Sequence, residues 1–359
     1  MKIYNLLLAL FAITFISCSD EGPKKTKDTS LLAPANGEIG EIVTVIDSTQ
    51  WEGTLGRALR SNLQIPMEAM PQDELLFELR KVNPLKLNNV LKKATNLLYI
   101  ITLDGKTSQN RALRKLVTED ALQKIYTDST RFIKISRDQF AKGQMVVFLF
   151  ARDTELLVRK IEENAKYLRS VFGNEERDRI LGRLKAGRQT AVEKQLFDDH
   201  GYRVMIPFGY DIAKGLNNFT WIRQLDVQAE KNIFIYEEDF DTQYQLDRIA
   251  DLREEITSTY LRDSEKPQLF ITQQSALEMI TDTITVRGKF ALRNKGLWKV
   301  SDSSAGGPYL SYVIVDEQRR KLYYLEGYVY SPGYDKKNLI REVDAILSSF
   351  RTPSELAGQ

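Results

Sequence analysis

His200 is the one imidazole in this 359-residue chain, and it follows two carboxylates in Asp198-Asp199-His200-Gly201. Adjacent carboxylates raise an imidazole pKa and could make it a general base. The glycine that follows favours a plainer role, a polar residue closing a helix. Glu237, Glu238, Asp239 and Asp241 are the densest acid cluster. Such a group could hold Ca²⁺ or supply a glycosidase carboxylate pair. It lacks the residue order of a calcium loop, and it fits a helix N-terminus capped by Asp239 or Asp241. Asp104-Gly105-Lys106-Thr107 has the tail of a phosphate-binding loop, but Ile100 stands where the loop's first glycine is required, so a turn after a strand is expected. The G-x-S-x-G, S-x-x-K and H-E-x-x-H patterns do not occur, which removes the usual signatures of serine and metal hydrolases. One Cys and one His leave no intramolecular disulfide, thiolate zinc site or multi-His metal site. The sequence implies no metal and no cofactor.

Aromatic residues offer recognition chemistry instead. Trp298, Tyr309, Tyr312, Tyr323, Tyr324, Tyr328, Tyr330 and Tyr334 fall close together, near Arg287, Lys289 and Glu326. Strand periodicity puts Tyr324, Glu326, Tyr328 and Tyr330 on one face and Tyr323, Leu325, Gly327 and Val329 on the other. The first face has two readings. It fills core and sheet edges, or it is a partly exposed surface in which Arg287, Trp298, Tyr309, Glu326 and Tyr328 stack on a sugar or anchor a protein. Gly306-Gly307-Pro308 reads as a loop that a ligand could approach closely.

The first thirty residues set the compartment. Lys2 precedes the apolar run Leu6 to Ile16, which is too short to span a bilayer and fits a signal peptide over residues 1–17. The run ends at Ser17-Cys18, which resembles a bacterial lipobox, with Phe15 where the usual Leu would stand. The resemblance implies a diacylglyceryl thioether on Cys18, cleavage after Ser17 and acylation of the new amine, palmitate being a typical chain. Residues 18–30 then form a polar tether. Asp20-Glu21 resembles surface-export signals and reads equally as solvated linker charge, so the expected location is the outer membrane, on its periplasmic or surface face. The 51 Lys+Arg against 49 Asp+Glu give +2, which leaves no electrostatic footprint for nucleic acid, so none is expected as a partner.

Elements follow from periodicity. Strands are expected at Ile39–Ile46, Leu75–Val82, Leu97–Leu103 and Met145–Phe150, with helices at Trp51–Leu63 and from Pro84 to Ala94. A helix at Asp153–Phe172, capped by Asp153 and ended by Gly173-Asn174, precedes two more at Glu175–Leu184 and Gln189–Phe197. After Gly201, strands are expected at Tyr202–Ile206, Thr220–Leu225, Asn232–Tyr236, Thr283–Leu292, Tyr309–Val315 and Lys321–Tyr330, with helices at Thr242–Tyr260 and Lys336–Phe350. The fold class is therefore α/β plus α+β: an N-terminal sheet covered by helices over residues 31–185, and a C-terminal antiparallel sheet with two helices over residues 201–352.

Gly37 to Asp47 followed by Trp51-Glu52-Gly53 and Leu55-Gly56, then Arg287-Gly288, Gly296-Leu297-Trp298, Gly306-Gly307-Pro308-Tyr309 and Glu326 to Tyr330, resemble a family of uncharacterised bacterial lipoproteins, a domain of unknown function common in Bacteroidota. The family brings no activity or catalytic residue to carry over. The C-terminal half is also similar to exported α+β domains of the photosystem-accessory and nuclear-import-accessory type, which commonly serve as binding or assembly modules. The reading is a lipid-anchored envelope protein, a non-catalytic binding or assembly module with a membrane held through Cys18 and an envelope protein or glycan as partner. The alternative is a carboxylate-dependent hydrolase of envelope glycans.

Overall fold

The computed structural model describes residues 31–240 and 248–358. Cys18, the apolar run, the tether, Asp241 and the start of the helix expected at Thr242 lie outside the described residues. Strand β1 (Glu41–Val45) is short and almost fully buried. Asp47 follows and caps α1 (Ser48–Glu52), its carboxylate accepting from the Thr49 and Gln50 amides. Gly53 separates α1 from α2 (Thr54–Leu63), so the single helix expected at Trp51–Leu63 is two. Next come β2 (Glu78–Val82), β3 (Asn96–Thr102), α3 (Ser108–Arg114), α4 (Glu119–Thr127), β4 (Ile133–Arg137) and β5 (Met145–Ala151). The sheet order is β2-β1-β3-β5-β4, parallel except for β4. All seven residues of β3 are buried because both sheet faces are covered. The helix expected from Pro84 is replaced by two 3₁₀ turns, Pro84–Lys86 and Leu91–Lys93. Between them the Asn88 side chain takes the Val90 and Leu91 amides, a local bond that competes with helix propagation.

Asp153 caps α5 (Thr154–Glu163) by accepting from the Leu156 amide, as its sequence position predicts. The break expected at Gly173-Asn174 falls instead at Asn164, whose side chain bonds the Lys160 carbonyl. Helix α6 (Ala165–Leu184) then runs on through Gly173. Its length has a packing reason. Leu168 and Phe172 sit in the N-terminal core, while Leu181 and Leu184 pack against the C-terminal core.

Helix α7 (Thr190–His200) closes on Gly201 in the left-handed region at φ 78°, a position that suits glycine. There follow β6 (Asp211–Leu216), β7 (Phe219–Leu225), β8 (Glu230–Asp239), α8 (Ile249–Tyr260), β9 (Ile271–Gln273), β10 (Ile280–Val286), β11 (Lys289–Val300), β12 (Gly306–Asp316), β13 (Lys321–Tyr330), α9 (Lys337–Ser348) and α10 (Pro353–Ala357). The second sheet runs β10-β11-β12-β13-β8-β7-β6, antiparallel throughout, with β9 beside β11. Tyr202–Ile206 forms no strand, and Arg203 makes one bridge to Arg351. The strand expected at Thr283–Leu292 is a hairpin that turns at Arg287-Gly288, both at positive φ, the geometry of a two-residue turn.

The alternation read along β13 is the alternation found. Tyr323, Leu325 and Val329 meet Ile340, Val343, Ile346 and Leu347 of α9. Tyr324, Tyr328 and Tyr330 meet Ile249, Leu252 and Ile256 of α8. The molecule is thus an α/β domain followed by an α+β domain, and α6 and α9 pack where they join.

Candidate functional site: the interdomain cleft

Four of the five residues read as a recognition surface do come together, but the fold seals them. Trp298 and Tyr328 are 4 % exposed, Tyr309 is 1 % and Glu326 is 0 %, because α8 covers the face of β13 that the sequence left open. Arg253 of α8, also buried, donates from Nε and Nη2 to the two Glu326 oxygens at 2.9 and 2.8 Å. The Tyr324 hydroxyl donates to Glu326 at 2.7 Å, and the Arg253 guanidinium lies 3.9 Å from the Tyr309 ring centre. Burial opposes the charge on Arg253, but the Glu326 carboxylate overrides it and holds the guanidinium above its ordinary pKa. Trp298 Nε1 donates to the Val329 carbonyl at 3.1 Å. Nothing in this group faces solvent. Arg287 stands apart on the β10–β11 turn, its nearest carboxylate Glu355 at 3.9 Å.

The other sequence candidates resolve similarly. His200 does end a helix, and its carboxylate neighbour is Glu237 at 3.8 Å rather than Asp198 or Asp199. Its Nε2 lies 3.0 Å from the Thr220 hydroxyl and its ring stacks on Tyr202. Thr220 is 2 % exposed, so the group is packed rather than presented. Glu237, Glu238 and Asp239 finish β8 instead of opening a helix, and Asp239 pairs with Lys321 at 2.8 Å. Among the described residues, no group of His, Cys, Asp and Glu is arranged to hold a metal. Asp104-Gly105-Lys106-Thr107 is the expected turn, and Thr107 caps α3. Gly306-Gly307-Pro308 is not a loop but the start of β12. A Cβ on Gly307 would collide with the Val329 carbonyl, so its close approach serves β13, not a ligand.

The open site lies elsewhere, where the two domains meet. A cavity of about 630 Å³ is lined from the N-terminal side by residues 65–68, Leu76, Phe77 and α6 between Lys166 and Arg177. From the C-terminal side it is lined by Asp282–Thr285 of β10, Arg293 and Lys295 of β11, Leu310, and Ile340, Arg341 and Asp344 of α9. That volume falls within the range of small-molecule sites, which favour domain interfaces. Its walls carry six cations (Lys166, Arg169, Arg177, Arg293, Lys295, Arg341) against four acids (Glu68, Glu176, Asp282, Asp344). Ile65, Met67, Leu76, Ile284, Leu310 and Ile340 supply an apolar lining.

The charges are partly spoken for. Lys295 bridges Asp282 at 2.9 Å and Glu68 of the other domain at 2.6 Å, and Arg293 reaches Asp282 at 3.2 Å. Burial would push the Asp282 carboxyl up, but Lys295 and Arg293 outweigh it and hold the group below its ordinary value. Arg177 has Asp344 at 3.9 Å, and Asp344 is already taken by the Tyr312 hydroxyl at 2.5 Å. Burial pulls Arg341 below its ordinary pKa. Arg177 Nε, Arg293 Nε and Arg341 Nη1 are buried with no hydrogen-bond partner. These three atoms are sealed from solvent, Arg341 Nη1 lying beside Gly40, so the chemistry the cleft itself presents is its excess of cations over acids. Lys166, at the rim, is exposed and has no ion pair among the described residues.

A lock beside the cleft fixes the domain geometry. Lys336, at the head of α9, supplies no side-chain cap. The carboxylate of Glu74 from the N-terminal domain takes its place, accepting from the Lys336 amide at 2.9 and 3.0 Å and the Lys337 amide at 2.8 Å. Lys337 also pairs with Glu78 at 2.6 Å, and Arg341 donates to the Leu76 carbonyl.

The cleft was missed in the sequence because its walls come from five distant segments. The Asp282–Arg293 cross-strand pair was hidden when β10 and β11 were read as one strand.

Two family models match the chain. One, described as Domain of unknown function (DUF8532), covers residues 35–185, and the other, Domain of unknown function (DUF4837), covers residues 189–349. The two matches are in keeping with an uncharacterised domain family, as the motifs suggested. No curated protein matches it. Among solved structures, the Saccharomyces cerevisiae Ran-binding protein Mog1p is 8% identical with a TM-score of 0.28, covering 42% of this chain and 89% of that one. The human StarD13 (DLC2) lipid transfer and protein localization domain is 11% identical with a TM-score of 0.21, covering 47% and 95%. Likeness at these scores carries no argument about fold or ligand.

Proposed function

We propose that this chain is a lipid-anchored, non-catalytic binding module of the cell envelope, held by Cys18 at the outer membrane, and that its ligand is an anion with an apolar portion seated in the interdomain cleft. One observation carries the ligand reading: six cations stand against four acids around one cavity, and the exposed Lys166 at its rim has no ion pair among the described residues. An acidic headgroup pairs with the excess cations, and the apolar lining takes the remainder. Binding rather than hydrolysis is favoured because two of the lining carboxylates are already engaged, Asp282 by Lys295 and Arg293 and Asp344 by the Tyr312 hydroxyl.

Two experiments test the two halves separately. Cys18→Ser should move the protein from the membrane to the soluble fraction, and retention of that variant in the membrane would refute the anchor. Dodecyl phosphate, as a model amphiphilic anion, should raise the unfolding temperature of the wild-type protein; at about 100-fold excess over its Kd a specific ligand contributes about 2.7 kcal/mol. No shift with dodecyl phosphate or dodecanoate would remove the anionic-ligand reading.

A further inference from the structure

The N-terminal sheet has a second covered face, turned away from α2, α5 and α6. Val43, Val45, Leu97, Tyr99 and Ile101 are covered there by Val82 at the end of β2, by Leu87, Leu91 and Ala94 in or beside the two 3₁₀ turns, and by Leu113 and Val117 in and after α3. The charge of this covering layer is one-sided. Residues 80–118 contain nine Lys and Arg and a single acid, Asp104, in a chain whose total is only +2. Arg80 and Lys81 pair with Glu41 and Glu52, and Arg114 donates to the carbonyls of Thr102, Leu103 and Gly105. Lys86, Lys92, Lys93 and Lys115 have no ion pair among the described residues. The nearest acids flanking this stretch are Glu78, paired with Lys337, and Glu119 and Asp120 on α4, the last paired with Lys124. Apolar side chains stand out in the same layer: Leu85 is 59 % exposed, Val90 66 % and Leu116 51 %.

The chain enters the fold at the border of this layer. Asn36 donates to the Lys93 carbonyl at 3.0 Å, and Ala35 donates to the Lys142 carbonyl at 2.9 Å. Between Cys18 and Leu31 there are only thirteen peptide links, a reach of at most about 45 Å whatever path they take.

We propose that this layer is a membrane-contact face: Lys86, Lys92, Lys93 and Lys115 lie against anionic headgroups of the bilayer that carries the anchor, and Leu85, Val90 and Leu116 enter between them. The inference rests on the Cys18 anchor and adds an orientation to it. Basic residues beside a lipid anchor strengthen attachment to anionic bilayers, and exposed aliphatics bury apolar area at the interface. Polynucleotide phosphates would use the lysines but not the aliphatics. With this face on the bilayer, the interdomain cleft opens on the far side of the N-terminal sheet.

The test uses the full lipidated protein on vesicles of phosphatidylcholine alone or mixed with phosphatidylglycerol, with the acetylation rate of each lysine read by mass spectrometry. On mixed vesicles Lys86, Lys92, Lys93 and Lys115 should react about fivefold more slowly than on neutral ones, while exposed Lys194 and Lys266 keep their rates. Triple replacement Lys86→Glu, Lys92→Glu, Lys93→Glu should erase the slowing at Lys115 and leave the protein vesicle-bound through its lipid. Vesicle-bound protein with unslowed lysines would overturn the contact face while leaving the anchor standing. Failure of the wild-type chain to remain on either vesicle would overturn the anchor and the face with it. Equal slowing by a polynucleotide in solution would reassign the face to nucleic acid.

Discussion

Two arginine–carboxylate assemblies, one inside the C-terminal domain and one where the domains meet, use the same residue types and end in opposite states. Under α8, Arg253 and Glu326 are fully buried, bidentate and joined by Tyr324, with the Tyr309 ring covering the guanidinium. At the cleft, Arg177, Arg293 and Lys295 share Asp282 and Asp344, lean on Glu68, and border an open cavity with more cations than acids. The difference lies in closure. A buried pair with its hydrogen bonds complete is a structural element; a partly buried group with surplus positive charge beside a cavity has capacity for a ligand. Residue type alone does not separate the two cases.

The largest test of this contrast is on the sealed side. Glu326→Gln leaves the Arg253 charge buried and uncompensated and should lower unfolding stability by about 3–5 kcal/mol in urea titration. The double change Arg253→Met with Glu326→Leu removes both charges and should recover most of that loss. A silent Glu326→Gln would show that the pair is not sealed.

Next in size is the lock between the domains. Glu74→Ala removes the cap of α9 and should cost about 1–2 kcal/mol. Because that cap comes from the other domain, calorimetry should show one transition separating into two.

The acid limit follows from Asp282. Its folded pKa is lowered by Lys295 and Arg293 after opposing desolvation, so its contribution is complete above the ordinary carboxyl value of about 3.9. It is lost as pH falls below that and through the lower folded value. Unfolding midpoints of wild type and Asp282→Asn should therefore differ near neutrality and converge in this acid range. The smallest effect belongs to Lys166→Ala, at the cleft rim, which should change stability by less than about 0.5 kcal/mol while weakening anion binding.

The sequence carried the fold further than it carried the site. Alternation along β13, the apolar stripe of α9 and the Asp153 cap are local patterns, and they appear as read. Gly173-Asn174 looked like a helix end, but two cores pull one helix across it, a tertiary effect invisible in a local window. Tyr324, Glu326 and Tyr328 were assigned to the correct strand face, yet their exposure depended on α8, from another part of the chain. The one-sided charge of residues 80–118 was legible and was masked by a near-neutral total. The cleft needed the β10–β11 register and the domain docking, which no single segment encodes.

Titration calorimetry of the purified protein with dodecyl phosphate tests the central claim most directly. Saturable binding that falls at least tenfold in Arg293→Gln and in Lys166→Ala, and is kept in the Arg253→Met and Glu326→Leu double variant, is the predicted result. Binding that survives the cleft variants and disappears in the double variant would contradict the account and return the site to the aromatic face under α8.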